Sequence, residues 1–117
     1  MIVGPAIIGD ECTIRSGAQV KSGSVIGHHV EIGQNCQISH SIVYENTLIG
    51  PKSMLDNCII GENCQIGSES IVSNDVVVGP HCTIGNRVKL QPSTRIWPRI
   101  ELKSGSVIRG IIRSEQD

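Results

Sequence analysis

The sequence predicts an all-β rod, a parallel β-helix of about six three-strand coils wound from hexapeptide repeats. Three observations predict it. Aliphatic residues recur every six positions, at Ile2, Ile8, Ile14, Val20, Ile26, Ile32 and Ile38, and again at Ile60, Ile66, Val72, Val78, Ile84, Leu90, Ile96, Leu102 and Ile108. A small or modest residue stands two positions before most of them, as at Ala6, Cys12, Ala18, Ser24, Val30 and Cys36. Gly often follows, as at Gly9, Gly27, Gly33, Gly50, Gly61, Gly67, Gly79 and Gly85. An α-helix cannot use this spacing, because six residues advance about 600° and would scatter the aliphatics over three sides.

Each unit therefore reads as a three-residue strand, small side chain inward, any residue outward, large aliphatic inward, followed by a three-residue corner. Gly, Asn and Asp in the corners are expected to relieve the positive φ of tight turns. Twice the register slips by one residue, and the corner shrinks to Ser39-His40 and then to Asp56-Asn57. Like positions should stack 18 residues apart, or 17 across a shortened corner. The pattern leaves handedness open. It places the β-helix over residues 1–112 and a polar tail, RSEQD, over 113–117, with no linker and no second domain.

Composition narrows the functional classes. The chain has 117 residues, with 10 Lys and Arg against 11 Asp and Glu. That balance gives no electrostatic footprint for nucleic acid or an anionic membrane. Trp97 and Tyr44 are the only aromatics, so thin layers of Ile, Val and Leu must fill the core. No apolar run reaches the roughly 18 residues of a membrane span, and the N-terminus lacks the pattern of a signal peptide. A soluble cytoplasmic protein is the expectation. Met1 precedes the first rung directly, which suggests a chain cut from a longer protein or a lower edge covered by another subunit.

The residue types that carry chemistry are accounted for by position. Cys12, Cys36, Cys58, Cys64 and Cys82 all fall on the small inward position and read as reduced core residues, although Cys64 and Cys82 should stack. His28, His29 and His81 share one corner column and form a candidate polar corner, but three coils separate the pair from His81, too far for one metal; His40 lies on another corner. Arg15, Lys52, Arg87 and Lys103 fall on a common corner, interrupted by Asn35 and Glu69, and read as solvated cations. No phosphate-cradling glycine motif occurs. No catalytic residue, cofactor site or metal site is expected in this chain.

Outward residues of a solvated rod should be polar, and one face breaks that rule. Its column reads Ile7, Val25, Ile42, Ile59 and Val77, then Arg95. The second face reads Thr13, Glu31, Leu48, Gln65, Thr83 and Glu101, and the third Gln19, Gln37, Met54, Ile71, Lys89 and Val107. Five successive aliphatics point to a contact with another copy or with a partner domain.

Over residues 2–112 the pattern resembles the left-handed β-helix superfamily of hexapeptide-repeat proteins, and left-handedness follows from that resemblance. SHSIVYENTLIG (39–50) and DNCIIGENCQIG (56–67) are similar to a shortened-rung motif of sugar-nucleotide pyrophosphorylases. RIWPRIELKSGSVIRGII (95–112) resembles the Ile-Trp-Pro segment of the mannose-1-phosphate guanylyltransferase type. In that family, the resemblance implies, an N-terminal nucleotidyltransferase domain couples a sugar 1-phosphate to a nucleoside triphosphate with a metal ion. The C-terminal β-helix serves in assembly and regulation. The glycine-rich nucleotide motif is absent here, so the chain is expected to be an assembly or regulatory domain, homo-oligomeric or bound to a nucleotidyltransferase catalytic domain through its apolar face. Two alternatives stay open. One is a hexapeptide acyltransferase-like protein with a site between subunits at His28, His29 or His81. The other is a metal-free scaffold of the γ-carbonic-anhydrase kind, whose HxxxxH pair has no counterpart here.

Overall fold

Strands of mostly two or three residues follow one another around a triangle, and each pairs in parallel with the strand one coil later. The computed structural model describes residues 1–114, and among them there is no helix. On the first face Ala6–Ile8 pairs with Ser24–Ile26, which pairs with Ile42–Val43. The second face runs from Thr13–Ile14 through Glu31–Ile32 and Leu48–Ile49 to Glu101–Leu102. The third runs from Gln19–Val20 through Gln37–Ser39 to Lys89–Leu90 and Val107–Ile108. About six coils give a rod of 38 × 20 × 19 Å. Of the polar tail expected over 113–117, residues 115–117 lie outside the described residues.

The inward aliphatics form the core as the six-residue period requires. Val20, Ile32, Ile38 and Ile60 are fully shielded, and each such burial contributes about 1.5–3 kcal/mol. At the ends the shielding fails, so Ile8, Ile14, Ile108 and Ile112 are only partly buried.

Each of the three corner positions has its own physical requirement. The first is usually Gly, but not for backbone freedom, since its φ is not in the positive range. The need is space along the rod. A Cβ added to Gly50 would lie 2.6 Å from the backbone of Gly67 and Ser68, and one on Gly85 would lie 2.5 Å from the Ser104 nitrogen. The expectation that Gly, Asn and Asp relieve positive φ therefore holds at other corner residues, as at Gly17, Gly23, Asn35 and Asn46, and not at the glycines that follow the aliphatics. That conformation falls at the third position, at His29 (58°), Asn63 (56°), His81 (62°) and Arg87 (54°). There the N–H donates to the second-position carbonyl of the coil below, His29 to Asp10 at 2.9 Å and His81 to Glu62 at 2.9 Å. The second-position N–H takes no part in this ladder. Pro51, Pro80, Pro92 and Pro98 occupy that position, where a missing donor costs nothing. Elsewhere a side chain from the coil above caps it: the Asp10 amide donates to His28 Nδ1 (2.7 Å), Ser68 to Asn86 Oδ1 (2.9 Å) and Asn86 to Ser104 Oγ (2.9 Å).

The small inward position has a chemical requirement as well as a size. Ser53 Oγ donates to the Gly67 carbonyl of the next coil (2.8 Å) and accepts the Ser70 amide (3.2 Å). Thr47 and Ser70 bridge in the same way, and the thiols of Cys36, Cys64 and Cys82 donate to Gly50, Gly79 and Trp97 carbonyls. Such groups satisfy backbone atoms that would otherwise be buried without partners.

The two shortened corners lie one above the other, Ser39 in register with Asp56 and donating to its Oδ1 at 3.0 Å. Across the second of them the third and first faces merge into one continuous strand, Met54–Ile60, and the strand above it, Ile71–Val78, stays continuous around a full three-residue corner. Above, the three-residue corner returns at Ser73, with a register shift and successive positive φ at Asn74 (65°) and Asp75 (69°). A third shortening lies near the C-terminal end and adds to the expected two. Arg95 pairs with Ile111, only 16 residues on, because Arg109 alone spans the corner and Gly110 (φ 86°) takes the inward position. Beneath the first shortened corner, Ser24 Oγ is buried without a partner. The Ser39 carbonyl above it is engaged by Ser41 Oγ at 2.8 Å.

Two stability predictions follow from the corners. Gly50→Ala and Gly67→Ala should each destabilise by about 1–3 kcal/mol through collision with the next coil. Chemical denaturation checks this, and a loss below about 0.5 kcal/mol contradicts the close-approach account. Ser24→Ala should be neutral or stabilising, whereas Ser53→Ala should cost about 1–3 kcal/mol by orphaning backbone groups. Equal losses at the two serines would show that Ser24 has a partner.

Candidate functional site

The aliphatic column is assembled by register. Ile7 pairs with Val25, Val25 with Ile42, Ile42 with Ile59 and Ile59 with Val77, so five outward side chains stand on five consecutive coils. Parallel pairing spaces them by ~4.8 Å, close enough to touch one another. Each shades its neighbours, leaving Val25 and Ile59 at the margin of exposure and the end residue Ile7 67% exposed. Above Val77 stands Arg95, and above it Ile111, 56% exposed. Ile111 is absent from the column inferred by periodicity because the third shortened corner displaces it by two positions. Arg95 does not break the surface with a bare charge. Its guanidinium pairs with Asp75 at 3.2 Å and donates to the carbonyls of Asp75 and Thr94.

Both margins of this face carry further features. The corner leading to the second face holds both aromatics of the chain, Tyr44 and Trp97, each about half exposed. Both occupy the first corner position that is otherwise mostly Gly. The opposite margin is cut back by the shortened corners into a notch of about 180 Å3, lined by His40, Asp75, Ile42 and Ile59 among others. Asp56 lies there, 3.7 Å from His40 Nδ1 and accepting from Ser39.

The candidate polar corner is placed as the spacing implies and is not brought together. His28 and His29 lie on one coil and His81 three coils above. His29 Nε2 is 3.7 Å from Glu11, and His28 Nδ1 is 3.9 Å from Asp10 Oδ2. His28 Nδ1 also accepts the Asp10 amide at 2.7 Å, so a neutral His28 carries its proton on Nε2 and presents a donor outward, not a base. Among the described residues no group of three or more His, Cys, Asp or Glu is placed to hold a metal ion. The four cations on one corner divide between two positions, Arg15 and Lys103 at the first, Lys52 and Arg87 at the third. Arg15 is paired with Glu31 at 2.9 Å.

All five cysteines are free, four of them buried. Burial pushes the Cys58 thiol up to about 11 and raises Cys36. Cys64 is raised by its hydrogen bond with Cys82 and by burial. The same contact lowers Cys82 to about 7, so protonation holds back Cys36, Cys58 and Cys64, whereas Cys82 is kept from reaction by its complete burial. A groove of about 710 Å3 lies on the other side of the rod, along the corner between the second and third faces. Stacked Gly33, Gly50, Gly67 and Gly85 form its wall, and Asn86 and Ser104 on it already accept corner amides. It contains no nucleophile beside a base.

Comparison with solved structures finds the same fold in proteins of low identity. PerB from Caulobacter crescentus, solved in complex with CoA and GDP-perosamine, superposes with a TM-score of 0.82 at 20% identity, over 92% of this chain and 51% of PerB. The UDP-N-acetylglucosamine O-acyltransferase LpxA from Moraxella catarrhalis superposes at 0.74 with 19% identity, over 95% and 62% of the two chains. The acetyltransferase domain of PglB from Neisseria gonorrhoeae superposes at 0.66 with 19% identity, over 97% and 47%. Superposition of this extent requires a common hand, so the β-helix is left-handed, as the resemblance implied. The chain spans about half the length of PerB. No match is found among curated protein sequences. The family model of the GMPPB C-terminal domain matches residues 2–112, nearly the whole β-helix. The chain belongs to the GMPPB C-terminal domain family.

Proposed function

We propose that this β-helix is the assembly and regulatory module of a sugar nucleotidyltransferase and leaves the transfer itself to a catalytic domain. The aliphatic column on the first face carries the reading. An outward row of five β-branched side chains has no role in the core, which the inward residues already fill. Apolar stripes of this kind, bordered by half-exposed aromatics, match the composition of protein interfaces. Family membership supports the nucleotidyltransferase setting. Acyl transfer at an inter-subunit site has less support, since the His28 lone pair faces the Asp10 amide and the one carboxylate near His29, Glu11 at 3.7 Å, lies against the outer Nε2 that a base would present.

The test is the double substitution Ile42→Lys and Ile59→Lys. Both side chains point outward, so the coil stack should persist, with an unchanged circular dichroism spectrum. Burying two ammonium groups at a contact should weaken association at least about 100-fold. Sedimentation of the chain, alone and with a nucleotidyltransferase domain of the same family, reads the effect. Association unchanged in both settings would overturn the assembly reading.

A further inference from the structure

We infer that the first face packs on the first face of a second copy of this chain, with the two rods antiparallel and the two-fold axis passing through Ile42. The inference rests on the assembly reading and adds the identity and the direction of the partner.

Two identical rods meeting face to face through a closed two-fold can run parallel or antiparallel. The geometry of the axis decides which residues meet. In the antiparallel case each margin of the face meets itself in reverse order; in the parallel case each margin meets the other at equal height. With the axis at Ile42, the aliphatic stripe is self-complementary. Ile7 lies opposite Val77, Val25 opposite Ile59, and Ile42 opposite itself. Arg95 then falls just beyond the second copy's Ile7, with its charge already met by Asp75.

The margins favour the same arrangement. On the notched margin Lys21, one coil below the axis, comes opposite Asp56, one coil above it. On the aromatic margin His28 and His29 come opposite Glu62, and Asp10 and Glu11 come opposite His81. Asp10, Glu11, Glu62 and all three histidines are exposed, and Lys21 and Asp56 are partly so. On the axis coil Glu45 and His40 each meet their own counterpart, but parallel packing gives fewer complementary pairs, setting Glu62 against Asp56 and Lys21 against His28 and joining only His40 to Glu45 and Asp75 to His81. Opposed like charges at a contact favour the alternative register. Five coils at ~4.8 Å across a face about 20 Å wide offer about 500 Å2 per copy, or about 1,000 Å2 in all, the lower bound for specific association. A reversible dimer in the micromolar range is therefore expected.

Cross-linking reads the direction. In the full chain, Ile42→Cys should cross-link to itself with a short bis-maleimide. Ile7→Cys and Val77→Cys should each fail alone and cross-link when mixed. Efficient self-cross-linking by Ile7→Cys would overturn the antiparallel arrangement. Charge exchange reads the register: Lys21→Glu and Asp56→Lys should each weaken the dimer about ten-fold, and the combined variant should restore it. Single losses without restoration would overturn the register. A wild-type chain that stays monomeric at high concentration, yet loses a nucleotidyltransferase domain through Ile42→Lys and Ile59→Lys, would overturn the second-copy partner and leave the assembly reading standing.

Discussion

The ~4.8 Å rise between parallel strands is the constraint on which the rest of this molecule depends. Every coil has only the coils below and above as hydrogen-bonding partners, so the corners must approach as closely as the strands do. That requirement removes the Cβ at Gly33, Gly50, Gly67 and Gly85, where it would meet the next backbone at 2.4–2.6 Å. It also turns the third corner residue into the left-handed region, so that its N–H reaches the carbonyl of the coil below. The inward hydroxyls and thiols complete the pairing from inside. Core, corner and face are three answers to one spacing.

Much of this was legible in the sequence, because a six-residue period reports which side chains point inward. The aliphatic columns, the small inward positions, the first two shortened corners and the outward stripe through Ile7, Val25, Ile42, Ile59 and Val77 could all be placed by counting. Counting failed where chain length changed without leaving an aliphatic out of step. Arg109 and Gly110 shorten the third corner by two residues, so Ile111 and Ile112, counted within the β-helix, were not placed on the first face where they form a rung above Arg95 and Ile96. Periodicity also reports size but not donors. Ser53 and Ala18 are equivalent in a pattern of small residues, yet only Ser53 bridges two backbone groups of the next coil. The placement of Pro51, Pro80, Pro92 and Pro98 had a local reason that emerged only once the unpaired second-position amide was located.

The candidate site shows the same division. Sequence placed the histidines and cysteines on their columns and so separated them from any common centre. It could not show that His28 Nδ1 is occupied by a backbone amide, which removes the base that an imidazole would otherwise offer. Nor could it show that Arg95, the one charge above the stripe, is folded against Asp75 at the margin. What stands out on the described part of the rod is a surface with apolar area and ordered charge at its edges.

The stacked shortened corners have a further consequence, for how the chain finds its fold. Coils this alike invite slippage, since a coil settling one step out of place would still put aliphatic on aliphatic. Only Ser39-His40 and Asp56-Asn57 match as two-residue corners in successive coils. A slip would lay a two-residue turn on a three-residue one and strand the Ser39–Asp56 bond. The irregularity thus acts as a key cut into an otherwise uniform stack, making one alignment of the coils lower in energy than its near copies.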